Sequence, residues 1–313
     1  MDILLEKVIN SFGVSGREKE ISEIIKKELK KYDCTVKEDK LGNVIAKVGE
    51  GKEKIMLSTS MDTKGVIVYY IEDDGKIRIE PVGELKADDV LGKSIIFRSK
   101  IVGKIESDKK ENNEFRDLYV KVNMEKKKTV LKYISEGEVG SFSGNIFEDG
   151  KNIVGSYLSN RAACFAFLKV IQEIKDINKE VYFVFSTQGN LGGKGARAAA
   201  FEIEPNMCIS VNTEVEGEIK LGEGPVLVLM GKGLITNTCV KEKIIKTAEE
   251  NNIKLQRCVS DFFSDGSSVH KEVGGIKTAN IALPCKNKDS INEAVNYEDI
   301  NNLVKLISSI VKE

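Results

Sequence analysis

The sequence predicts an α/β fold, a mixed sheet covered by helices and interrupted by an inserted β-rich segment. Three observations carry this. From Ser159 onward, apolar runs of strand length alternate with amphipathic runs of helix length. From Val66 to Lys151 that alternation gives way to short β-branched runs separated by Gly and Asp turns. Residues 1–65 hold too few elements to close a core of their own, so they join the C-terminal part. The expected division is an α/β domain of residues 1–65 plus 152–313, with 66–151 inserted. At 313 residues the chain is long enough to bury such a core.

Taken in order, "SGREKEISEIIKKELKKY" places Ile21, Ile24, Ile25 and Leu29 at helical spacing, and Ser15 with Glu18 fits a capping box. "GNVIAKV" and "KIMLSTSMD" read as strands, the second buried and ending at Asp62. In the middle, "VIVYYIEDDGKIRIEPVG", "SIIFRSKIVGKIE" and "DLYVKVNM" read as strands, and "KKTVLKYI" as a short helix. Beyond them, "NRAACFAFLKVIQEI" and "GKGARAAAFEI" read as helices around the buried strand "EVYFVFST". "MCISVNT", "VKEKIIKTAEENN", "KLQRCVS", "SSVHKEVG" and "TANIALP" continue the alternation. The last helix puts Ile300, Leu303, Val304, Ile307 and Ile310 on one face.

Composition excludes several classes of function. The 48 basic and 49 acidic side chains leave a net charge of −1, which gives no general attraction to nucleic acid or acidic lipid. No apolar run suits a membrane span or a leader peptide, so the expectation is a cytoplasmic protein with neither nucleic-acid nor membrane partners. Cys34, Cys164, Cys208, Cys239, Cys258 and Cys285 are scattered without a metal or redox spacing and read as reduced thiols. His270 is the one histidine, which rules out a two-histidine zinc site; in "SSVHKEVGG" it reads as a surface or capping residue.

In open α/β sheets functional groups collect where strands end. Besides Asp62, four polar loops follow apolar runs: "YLSNRAAC", "STQGNLGGKGA", "SVNTEVEG" and "ALPCKNKDSINE". An aspartate at a strand end also has a purely structural use, accepting hydrogen bonds from the next turn. "GNLGGKGA" matches neither phosphate-loop pattern cleanly. Asp289, with Glu293 and Lys286, reads either as a solvated loop or as a remodelled pocket.

The ordered set of these segments resembles the tetrahedral-aminopeptidase family, metallopeptidase family forty-two, which includes glutamyl and deblocking aminopeptidases. "GVSG" at Gly13–Gly16, "LGN" at Leu41–Asn43, "LGEGP" at Leu221–Pro225, "IKLQ" at Ile253–Gln256 and "SDG" at Ser264–Gly266 keep the family's register over essentially the whole chain. The resemblance implies a di-zinc aminopeptidase fold, with the β-rich insertion as an assembly domain that builds homo-oligomers. It also implies two divalent metals, zinc or cobalt, and a glutamate as general base.

Carried over position by position, the family's metal ligands fall on Ser60, Ser159, Asn190, Asn212 and Asp289, and its general base on Gly189. Asp62 keeps the residue that would orient the first, lost histidine, and Arg161, Gly192, Gly195 and Ala196 also match. Four of the five ligand positions are therefore neutral, and no bound metal is expected. The expected function is that of a non-catalytic relative, either binding a peptide or serving as an assembly subunit, including co-assembly with an active relative. The alternative is an active metallo-aminopeptidase with a rebuilt site, for instance one ion at Asp62 and Asp289. A cellulase-type pair of Asp62 and Asp289 is a weaker option, since the chain has no tryptophan for a sugar platform.

Overall fold

The computed structural model describes residues 1–144, 146–156 and 158–313, with Ser159 described by its backbone alone. The chain opens with a helix that the sequence reading passed over, α1 (Ile3–Asn10). Asp2 caps it by accepting from the Leu4 N–H at 2.8 Å, and Leu5, Val8 and Ile9 form its buried face. The expected helix follows as α2 (Lys19–Leu29), burying Ile21, Ile25 and Leu29.

The capping box expected from Ser15 and Glu18 is not formed. Glu18 occupies the cap position of α2 but makes no side-chain cap bond. Its carboxylate instead accepts from the N–H groups of Gly16 and Gln188, each at 2.8 Å, and the Ser15 hydroxyl is taken by Asp62. A long-range partner displaced the local one in both cases.

Strands β1 (Thr35–Glu38), β2 (Val44–Val48) and β3 (Lys54–Ser60) lead to a closed six-stranded barrel. Its strands are β4 (Gly65–Ile71), β5 (Ile77–Val82), β6 (Ser94–Phe97), β7 (Val102–Ser107), β8 (Leu118–Lys121) and β9 (Val139–Phe142). Two single-turn helices, α3 (Ala87–Val90) and α4 (Lys127–Val130), lie among these strands. The barrel buries its own cluster, including Val66, Ile71, Ile79, Phe97, Val120 and Phe142. Closure leaves it no free edge. Strands β10 (Phe147–Asp149) and β11 (Asn152–Gly155) then pair, and β11 continues antiparallel onto β18 (Glu293–Asn296). This small sheet ties the end of the insertion to the C-terminal part.

The large sheet adds β12 (Glu180–Ser186), β13 (Met207–Val215), β14 (Val226–Gly231), β15 (Leu234–Ile235), β16 (Gln256–Val259) and β17 (Lys277–Cys285). Its order is β1-β2-β12-β3-β13-β17-β14-β15, with β16 on β14. The antiparallel β14–β15 hairpin is absent from the sequence reading, because a short apolar run with glycines does not declare its partner.

Helices α5 (Ser159–Glu173), α7 (Thr238–Glu250) and α9 (Tyr297–Lys312) join α1 and α2 in one core cluster with the sheet. A separate cluster holds α6 (Lys194–Ile203) and α8 (Asp265–Val269) against other sheet residues, among them Met56, Val184 and Cys208. Phe167 of α5 meets Phe183 and Phe185 edge-on at 5.6 and 5.9 Å, which adds roughly 1 kcal/mol per pair to simple burial. Strands β12, β3, β13 and β17 run parallel side by side, so their C-terminal ends open on one edge. Ligand sites of α/β sheets form at that edge.

Candidate functional site

Ser60 closes β3, Gly189 and Asn190 follow β12, Asn212 lies near the C-terminal end of β13, and Asp289 follows β17. All five line one cavity of about 210 Å³. Residues separated by more than two hundred positions thus converge because parallel strands end together. The sixth position, Ser159, begins α5, and its side chain lies outside the described residues.

Asp62 does not belong to the cavity wall. It is fully buried beneath it and serves as an anchor for the surrounding loops. Its carboxylate accepts from the Ser15 hydroxyl, from the backbone N–H groups of Gly189 and Asn190 at 3.0 Å each, and from the Asn190 amide at 3.0 Å. The Asn160 amide donates to Ser60 Oγ at 2.8 Å and to the Asp62 carbonyl at 3.3 Å. A carboxylate so fully engaged and absent from the cavity lining suits neither the single-ion centre with Asp289 nor the two-carboxylate glycosidase arrangement. The carboxylate does accept hydrogen bonds, but from groups distant in sequence rather than from the turn that follows β3.

Gly189 is confined by the same network. A Cβ there would stand 2.3 Å from the Ser60 Cβ and 2.5 Å from its Oγ. No side chain fits without moving β3 or the loop. Restoring glutamate alone, as Gly189→Glu, should therefore lower thermal stability by on the order of 1–3 kcal/mol without conferring hydrolysis, read by calorimetric melting beside a peptidase assay.

The remaining wall is charged. Lys64 Nζ pairs with Asp289 at 2.7 Å and donates to the Glu84 carbonyl at 2.9 Å, and Lys232 pairs with Glu84 at 3.3 Å. Lys288 donates to the Thr213 carbonyl at 2.9 Å and lies 3.5 Å from the centroid of the Phe262 ring. Burial lowers its pKa. Asp265, fully enclosed, accepts from the hydroxyls of Ser58 at 2.5 Å and Ser186 at 2.7 Å. Burial still pushes its carboxyl up to about 6, against the lowering effect of those bonds.

Lys64, Lys288, Asn160 and Asp265 were not identified from sequence as parts of the site. Lys64 and Lys288 stand within two residues of Asp62 and Asp289, and a charge placed so near a strand-end acid was the available signal. The lysine at the cavity is Lys288; Lys286 is exposed.

The donor set does not fit two divalent cations. Serine hydroxyl and asparagine amides carry no charge, and the one carboxylate among the ligand positions, Asp289, is already paired to Lys64. Among the described residues no group of three His, Cys, Asp or Glu side chains is placed to hold a metal. Of the lysines on the same wall, Lys64 and Lys232 are ion-paired, and Lys288 adds a positive charge that opposes a cation further.

The comparisons with known proteins agree with this architecture. A model of the M42 glutamyl aminopeptidase family matches residues 42–306. A putative aminopeptidase of Acetivibrio thermocellus is 35% identical, over 97% of this chain and 96% of its own. The structure of an aminopeptidase from the archaeon Desulfurococcus kamchatkensis superposes with a TM-score of 0.94 at 25% identity, covering 99% of this chain and 93% of that one. The Pyrococcus horikoshii TET1 peptidase, described as assembling into a tetrahedron or a large octahedral shell, gives 0.92 at 26% identity over 99% and 98%. With the family model matched over most of the chain and a relative 35% identical along nearly its whole length, the chain belongs to the M42 glutamyl aminopeptidase family.

Proposed function

We propose that the chain binds the end of a peptide, or a small molecule like one, in the strand-end cavity and does not hydrolyse it by a two-metal reaction. The observation that supports this is the hydrogen-bonded network Ser60–Asn160–Asp62–Asn190, with Gly189 packed against it, where the resemblance places cation ligands and the base. Without a polarised water or a base at that position, the family's route to a nucleophile is closed.

A second reading, release of N-terminal residues through a rebuilt site, is favoured by kinship, since the relatives matched along nearly the full chain carry aminopeptidase names. Assay with aminoacyl and aminoacyl-peptide anilides, after chelation and again with added Zn²⁺ or Co²⁺, separates the two. The first reading predicts no metal-dependent release above a protein-free control. Release that appears with metal and disappears with chelator would establish the second.

The same kinship supports a homo-oligomer, because a related TET1 structure is described as a dodecamer. We place its contacts on the inserted barrel, where Tyr69, Tyr70 and Tyr133 are exposed. Hetero-assembly with an active relative extends this reading, and light scattering with pull-down from the native host tests both. No helix among the described residues is long and apolar enough to cross a membrane.

A further inference from the structure

We propose that the cavity is a carboxylate site, with Lys288 as the cation that anchors the single carboxylate of a small ligand of amino-acid or dipeptide size. This rests on the ligand-binding reading above and names the chemistry of the ligand. The argument begins from charge. Of the three cavity lysines, Lys64 is paired with Asp289 and Lys232 with Glu84, while Lys288 has no carboxylate within 4.0 Å among the described residues. Its ammonium is held in place by the Thr213 carbonyl at 2.9 Å and the Phe262 ring at 3.5 Å, both neutral groups. Glu214 and Asp289 act on this buried ammonium from beyond ion-pair distance, so no carboxylate touches it directly, and a ligand carboxylate entering beside it would make that contact.

A second observation points the same way. The Asn212 side-chain oxygen, on the same wall, is buried and accepts no hydrogen bond. A buried acceptor without a donor marks a place where a ligand N–H or O–H is wanted. A cation with no carboxylate in contact, together with the buried, unpartnered side-chain oxygens of Asn212 and Thr213, in a cavity of about 210 Å³ describes a small carboxylate that also carries a donor. A free amino acid is the simplest such molecule. A phosphate is less suited, because the other two lysines are already neutralised and a dianion would face Asp289 and Glu84.

The test is calorimetric titration of the purified full chain with a panel of free L-amino acids, their C-terminal amides and inorganic phosphate. It is repeated on Lys288→Met and Lys288→Arg, each checked for an unchanged melting profile. The expected result is saturable binding by at least one free amino acid, with its amide about 10- to 100-fold weaker. Lys288→Met should weaken the carboxylate by the same factor and Lys288→Arg should largely retain it. Equal affinity for acid and amide, or an undiminished affinity in Lys288→Met, would overturn the assignment of Lys288 while leaving a ligand-binding cavity in place. Phosphate binding more tightly than every amino acid would overturn the ligand class. No binding by any member of the panel up to about 10 mM would overturn the carboxylate site, and absence of binding by short peptides in the same titration would overturn the binding function as well.

Discussion

Replacing Asp62 with alanine is expected to cost about 3–5 kcal/mol of stability, read as a lower midpoint in guanidinium unfolding. Four donors converge on this fully buried carboxylate. Two of them are the backbone N–H groups of Gly189 and Asn190, which have nowhere else to turn once the acceptor is removed. The loss extends across the fold, because Ser15 precedes α2 while Gly189 and Asn190 follow β12, and Asp62 itself follows β3. Asp62→Asn keeps one acceptor oxygen and should fall between the wild type and alanine. A loss below about 1 kcal/mol in Asp62→Ala would mean that the carboxylate is not the anchor of these loops.

Asp265→Asn is expected to act in the opposite direction, stabilising the protein at pH 7 by up to about 3 kcal/mol. The folded protein raises this carboxyl from 3.8 to about 6. Each unit is worth about 1.4 kcal/mol between the two protonation states. The sign follows from proton binding. Between the unfolded and the folded value the native state holds the proton and the unfolded state has released it, so stability falls as pH rises through about 4 to 6. Asparagine cannot ionise and is free of that fall. The stability difference between variant and wild type should therefore be smallest near pH 4 and reach its full size by pH 7, in thermal melts across that range. A difference that does not change with pH would show that Asp265 does not ionise against its burial.

Much of this arrangement was legible in the sequence, and the reasons for the rest are specific. Periodicity identified the parallel strands, and the polar loops that follow them did meet at one edge: Ser60, Gly189, Asn190, Asn212 and Asp289 share a cavity. That convergence follows from strand direction, which the alternation of helix and strand encodes. What could not be read was the partner of each side chain. Ser15 and Glu18 have the spacing of a capping box, yet both are claimed by groups distant in sequence, Asp62 and the Gln188 N–H. Lys64 and Lys288 look like ordinary surface charges until the fold turns them toward Asp289 and Phe262. The strand β14 was hidden because its antiparallel pairing with β15 and β17 leaves no local signature beyond a short apolar run. The resemblance supplied the expected ligand positions; only the packed structure shows which side chains surround them.

Titration of metal-stripped protein with Zn²⁺ and Co²⁺ by calorimetry at neutral pH tests the central claim most directly. A site made of hydroxyl, amides and an ion-paired carboxylate, with ammonium groups on the same wall, predicts no binding tighter than about 0.1 mM, or about −5.5 kcal/mol. Two tight sites per chain would contradict this account and return the protein to the metal-dependent aminopeptidases.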